Sequence, residues 1–302
     1  MARQGSVGAA RLMALAAVVF WGISFVATKA VVAEISPWAL VFARSGIGSL
    51  LLVLFVAAGG KGPPARTAWP ALAVMGFVGV ALHQTLQAVA LTTTTAVHSG
   101  WLIGLTPIWS ALLSVRFAGE RVGRMKSAGL ALGFLGAALV VTRGTLAGEA
   151  LRLPSTRGDL LIIASTFNWA VYSVLGRGTL QRLGPLRATA GAMVSGWAFL
   201  LPPFLARRAW TEYAGLSVHG WAALLFLGIA CSGLGYLLWF GALERIEPAR
   251  VSSFLYLEPL VTLGAAVVLL NERVTWTTLV GGALLLAGVG AVQWAPRPNV
   301  RE

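Results

Sequence analysis

Side chains able to carry chemistry are scarce in this sequence. It holds one cysteine, three histidines and ten acidic residues in 302. The lone Cys231 excludes a disulfide framework and a cysteine-based metal site. No His-x-x-x-His zinc pair and no Gly-x-x-x-x-Gly-Lys phosphate loop occurs. We therefore expect no metal, no cofactor and no enzyme. Charge is short too, at 11% of residues, against about a quarter in an ordinary soluble domain. The first apolar run lacks a small-residue cleavage site and further runs follow it, which argues against a secreted soluble protein.

What is present is mainly apolar, 57% of the chain. A bilayer core of roughly 30 Å needs about 20 such residues per helix. Ten runs of that kind are predicted: Arg11 to Ala33, Pro37 to Ala58, Ala68 to Ala90, Ala96 to Phe117, Met125 to Thr142, Asp159 to Gly176, Leu186 to Ala206, His219 to Leu243, Val251 to Leu270 and Thr275 to Trp294. No charged residue lies between Thr67 and Val115, so only the Thr92 to Thr95 tract can divide the third run from the fourth. It is either a very short turn or part of one continuous helix.

The net charge of +13 is scattered over the connectors rather than gathered on one face. That pattern suits the orientation of a membrane protein and not a nucleic-acid surface. With the N-terminus inside, fifteen Lys and Arg fall on the cytoplasmic side and six on the other, while Lys29 and Arg44 fall within spans. Both termini are expected in the cytoplasm.

A repeat runs through the spans. Leu105-Thr106-Pro107 with Glu120-Arg121 recurs 152 residues later as Leu257-Glu258-Pro259 with Glu272-Arg273. Trp21 and Lys29 precede Trp169 and Arg177 by 148, and Gly129 and Gly136 precede Gly281 and Gly288 by 152. Five spans per half is an odd number, so the second half enters from the opposite side. The expected fold is an all-α membrane protein of ten transmembrane helices, an inverted five-plus-five repeat around a central cavity, divided as 1–147 and 148–302.

Polar residues inside spans are the first site candidates, because an ionised group at the bilayer centre costs several kcal/mol unless paired or facing water. Glu258 is either a protonatable or amine-binding group, or a packing carboxyl beside Pro259. Arg44 either binds a substrate carboxylate or caps carbonyls of neighbouring helices. The two should differ in depth by about 10 Å, which argues against a direct salt bridge between them. Lys29 and Arg177 lie near span ends, where they can snorkel to the interface.

His83, Gln84 and Gln87 either wall a cavity or bond between helices. His98 and Ser99 suit either a gate or a solvated helix end. The rings of Trp21, Trp101, Trp169, Tyr172, Trp239 and Phe254 either line a cavity or pack the bundle. Trp38, Trp69, Trp210, Trp276 and Trp294 read as interface anchors. Glu120 and Glu272, each just before a new helix, suit helix-start capping. The glycines of the fifth and tenth spans form small-residue faces for packing or for a weak homodimer.

Trp21-Gly22 with Lys29, Ser36-Pro37 followed by Arg44, and the two Pro-to-Glu modules together give a resemblance to the EamA-type transporters of the drug/metabolite transporter superfamily, over nearly the whole chain. The resemblance implies ten helices in an inverted repeat, a cavity lined by spans one to four and six to nine, and export of amino acids or other small metabolites across a bacterial inner membrane. The ring-rich cavity looks most like that of the aromatic amino-acid exporters. Transport of other metabolites or of cationic aromatic drugs is the alternative, and a membrane scaffold or enzyme the less favoured class.

Overall fold

In a computed structural model of the protein, the described residues are 2–60, 62–106, 108–110, 112–113, 123–142, 155–243, 245, 251 and 253–294. They form helices and turns, with no strand among them. Pro107 and the Glu120-Arg121 pair lie outside the described residues, as do Arg116, Arg143, Arg152, Arg250, Arg297 and Arg301. So does the Arg177 side chain.

Helices α1 (Ala2–Val32) and α2 (Pro37–Ala58) form an antiparallel pair. The turn between them ends at Ser36, whose side chain accepts the Ala39 N–H while Pro37 occupies the first helical turn, where a missing N–H costs nothing. Helix α3 comprises Trp69–Gly76, a π-helical stretch Phe77–Leu82, and His83–Leu91. It stops at the threonine tract. Thr95 accepts the His98 N–H and starts α4 (Ala96–Ile103), so the tract is a turn and not continuous helix.

The remaining helices are α5 (Arg124–Thr142), α6 (Ser155–Leu183), α7 (Pro185–Ala206), α8, α9 and α10 (Trp276–Trp294). Helix α8 comprises Val218–Phe226, a second π-helical stretch Leu227–Leu234, and Gly235–Leu243. Helix α9 (Glu258–Leu270) follows a 3-10 turn, Ser253–Leu257. Here the structure departs from a continuous ninth span. The α-helix begins at Glu258, and Pro259 sits in its first turn rather than breaking its middle. The fourth span breaks at the matching point, since α4 ends at Ile103 and Gly104 and Leu105 form a turn.

Six helices among the described residues are long and apolar enough to cross a membrane: Val7–Val32, Pro37–Ala58, Arg66–Leu91, Arg157–Gly176, Pro185–Ala206 and Val218–Trp239. Shorter apolar helices span Ser127–Thr142, Glu258–Leu270 and Trp276–Ala291. Much of the outer surface is apolar, with Leu50, Val268 and Leu269 all more than 60% exposed. Such a surface suits lipid and not water. This is a multi-pass membrane protein.

Close packing repeats at constant spacing. A Cβ on Gly76 would lie 2.8 Å from Ser195 Cβ, and one on Gly228 would lie 2.7 Å from Ile47 Cβ. A Cβ on Gly48 would lie 2.6 Å from Ser232 Cβ, and one on Gly196 would collide with Val80. In each pair the α3 and α8 members are 152 residues apart and the α2 and α7 members 148 apart. Helices α5 and α10 are joined in the same reciprocal way. A Cβ on Gly136 would lie 2.5 Å from the Gly281 carbonyl oxygen, and one on Gly288 would lie 2.6 Å from the Gly129 carbonyl oxygen. Their small-residue faces therefore meet inside one chain, and a homodimer through these helices would have to use other faces.

Candidate functional site

A cavity of about 350 Å3 lies between the helices, within the range of about 300 to 1,000 Å3 for small-molecule sites. Trp21, Arg44, His83, Gln84, Gln87, Trp169, Tyr172, Trp239 and Glu258 all line it. The structure thus brings together seven of the nine cavity candidates and two of the three charged ones. Thr106 and Glu258, the differing residues of the two Leu-x-Pro motifs, both reach this cavity.

Rings form two groups on the walls. Trp21 stands 5.6 Å from Tyr236 and 5.2 Å from Trp239 between ring centroids. Trp169 stands 4.9 Å from His83 and 5.1 Å from Tyr172. Each leading Trp leans on a helix of the other sequence half. Trp21 Nε1 donates to the Cys231 carbonyl at 3.2 Å, inside the second π-helical stretch. Asn168, beside Trp169, donates to the Val78 carbonyl at 2.7 Å, inside the first. A π turn shifts backbone carbonyls off the regular ladder, and such turns recur at functional sites.

Polar side chains gather near the same turns. Arg44 Nε donates to Ser232 Oγ at 3.4 Å. The Ser45 hydroxyl donates to Gln84 Oε1 at 3.3 Å, and His83 Nδ1 lies 3.1 Å from the Ser165 carbonyl. Arg44 caps no helix carbonyl among the described residues. Glu258 has no hydrogen bond or ion pair through its carboxylate among the described residues. In particular it makes none with Arg44, as the depth argument predicts.

Three candidates lie elsewhere. Trp101 is 4% exposed and packs against Gly282 and the core around Leu105, Ile108 and Leu285. It is a core residue because α4 turns that face toward α10. Phe254 packs with Ala14, Ala242 and Val251. Lys29 neither lines the cavity nor snorkels: its Nζ donates to the Leu91 carbonyl at 2.7 Å and the Thr94 carbonyl at 2.6 Å, closing the end of α3.

That lysine belongs to a polar layer at the end of the bundle where α1 gives way to α2. Glu272 accepts the Ala96 and Val97 N–H groups, both at 2.9 Å. It therefore caps α4, from the other half of the sequence, and not the helix that follows it. Glu212 accepts the Ser36 N–H at 2.5 Å and its hydroxyl at 2.8 Å. Glu34 accepts the Ser217 N–H at 2.7 Å and its hydroxyl at 2.8 Å. The Ser217 N–H and then its hydroxyl hold the Glu34 carboxyl below its ordinary value.

Deeper in this layer, Asp159 is wholly buried. It accepts a short hydrogen bond from the Thr94 hydroxyl and pairs with His98 Nδ1 at 3.1 Å. His98 is thus neither solvated nor free. The sequence reading names Glu258 among the polar candidates inside spans and does not single out Asp159. The available signal was an acid at the first position of the run Asp159 to Gly176. Trp69, Trp210 and Trp276 are 36% to 77% exposed, as interface anchors would be.

The sequence profile of the EamA-like transporter family matches residues 9–142 and again residues 156–293. An uncharacterized transporter of Archaeoglobus fulgidus is 35% identical over 270 residues, 89% of this chain and 92% of its own. A probable terminal-alkyne amino-acid exporter of Streptantibioticus cattleyicolor is 30% identical, over 90% of this chain and 89% of its own. A probable amino-acid metabolite efflux pump of Salmonella typhimurium is 28% identical, over 92% of each chain. A solved crystal structure aligns with a TM-score of 0.65 over 94% of this chain and 96% of that one, at 21% identity, which is a likeness of fold. With both halves matched and the length covered, the chain belongs to the EamA-like transporter family, in the drug/metabolite transporter superfamily.

Proposed function

We propose that this protein is an inner-membrane secondary transporter that exports aromatic and other neutral amino acids, with related small metabolites, by alternating access. The observation that carries the reading is the cavity: rings on two sides, a polar patch of Arg44, His83, Gln84 and Gln87, and a volume suited to one small molecule. Rings can stack on an apolar or aromatic side chain while the polar patch receives the α-carbon groups. The named activities of the Streptantibioticus and Salmonella relatives support the same class.

The mechanism rests on ten helices in two inverted halves, 1–147 and 148–302. Reciprocal glycine contacts and the paired π turns are what such a duplication would leave. The polar layer closes one end. The lining extends from Gln87, one turn short of that layer, to Leu180 and Leu255 near the end where α1 begins. With the termini in the cytoplasm, we read this arrangement as inward-facing. Opening outward requires the contacts of Asp159, Glu272, Glu34 and Glu212 to part while the terminal end closes.

A second reading, export of cationic aromatic compounds, draws on Glu258, which faces the cavity unpaired among the described residues. Flux of a labelled amino-acid panel into proteoliposomes, with and without a pH gradient, decides between them. Uptake of phenylalanine or tryptophan is expected. Absence of flux for every neutral amino acid would sink the main reading.

A further inference from the structure

The polar patch contains a cation that makes no ion pair among the described residues, although Glu258 lines the same cavity. Arg44 carries five N–H donors in a planar fork. Among the described residues its guanidinium makes one protein hydrogen bond, to Ser232, and Arg44 lines the cavity. Gln84 spends its amide oxygen on the Ser45 hydroxyl, which leaves its NH2 group as a further donor. A permanent charge in a low-dielectric bundle is costly unless water or a counter-ion meets it.

We propose that Arg44 is the anchor for the carboxylate of the transported molecule, which fixes the substrate class as small monocarboxylates and zwitterions rather than amines. The proposal rests on the transport reading above and deepens it. A carboxylate matches the planar fork of one guanidinium and neutralises its single charge. A phosphate dianion would leave excess negative charge in the same patch, and an amine would meet a like charge. Glu258 lines the same cavity and makes no ion pair with Arg44 among the described residues. The ammonium of a bound amino acid is left to the ring faces of Trp21 and Trp169.

Binding to the purified full-length protein in detergent, read by tryptophan fluorescence, tests this without requiring turnover. The probes are phenylalanine, 3-phenylpropionate, which keeps only the carboxylate, and phenethylamine, which keeps only the ammonium. We expect phenylpropionate to bind within a few-fold of phenylalanine and phenethylamine about tenfold or more weaker, the scale of a lost charge-assisted hydrogen bond. Arg44→Gln should erase the preference for acid over amine, and Arg44→Lys should restore part of it. Equal binding of amine and acid by the unaltered protein would overturn the anchor, as would binding of none of the three. Acid-selective binding with no flux would overturn the transport reading and leave the anchor standing.

Discussion

The two stretches that match the same family profile agree in their close contacts and differ in their charges. Gly48 against Ser232 repeats as Gly196 against Val80, and Gly76 against Ser195 as Gly228 against Ile47. Yet the position of Arg44 in the first stretch is held by Ala192 in the second, Glu258 is matched by Thr106, and His83 by Gly235. Steric constraints at helix crossings admit few solutions, so they persist in both halves. A charged group inside the bundle carries a desolvation cost, and a second copy would add a second one. The scaffold is double and the chemistry is single.

The largest expected break in that comparison is at a single-copy core residue. Trp101→Ala should destabilise the protein by about 3–5 kcal/mol, seen as a lower midpoint of thermal unfolding in detergent. Trp169→Ala should leave that midpoint nearly unchanged and weaken flux instead. The reverse pattern would exchange the two roles. Next comes Asp159→Ala, which strips the buried His98 and Thr94 of their partner and should cost about 3 kcal/mol. Asp159→Asn should recover part of it, measured by the same unfolding assay.

Smaller effects test the doubled scaffold. Gly48→Ala and Gly196→Ala should each cost about 1–3 kcal/mol, by forcing a methyl into an occupied crossing. Similar losses sharpen the correspondence, and a neutral substitution in either half breaks it. Glu258→Gln should leave stability intact and change flux under a pH gradient by about tenfold if the carboxylate couples to protons. Unchanged flux would remove it from coupling.

The smallest effect concerns pH at the polar layer. The Glu34 carboxyl is held below 4.5 by Ser217, so its deprotonated form favours the folded state. That contribution is whole above about pH 4.5 and fades as pH falls through the lower folded value. Glu34→Gln should remove this part of the acid sensitivity while barely shifting the unfolding midpoint at pH 7.

Much of this arrangement was legible in the residues. Hydropathy and length marked the spans, while the threonine tract left turn and continuous helix both open until the Thr95 cap decided for the turn. The polar patch on α3 was visible as His83 and Gln87, four apart on one helical face. Other parts depend on which helices meet. Glu272 looked like a cap for the helix after it, because sequence adjacency is all a linear reading has, yet the open N–H groups of Ala96 and Val97 stand nearer in space. Trp101 and Trp169 were alike in sequence, and only helix rotation separates a core ring from a lining one. Asp159 was hidden because a wholly satisfied buried carboxylate and a solvated cap look the same at a span's first position.

The π-helical stretches carry a consequence of phase. Each such turn holds one residue more than an α-helix would use, and one residue is about 100° of rotation. In α3 the extra residue lies before His83, Gln84 and Gln87, so it sets the direction in which all three point. Winding Phe77–Leu82 as regular α-helix with every residue kept would turn all that follows by about 100°, and the polar face of His83, Gln84 and Gln87 would leave the cavity. Deleting one residue between Phe77 and Leu82 would instead restore uninterrupted α-helix and leave those three side chains facing as they do.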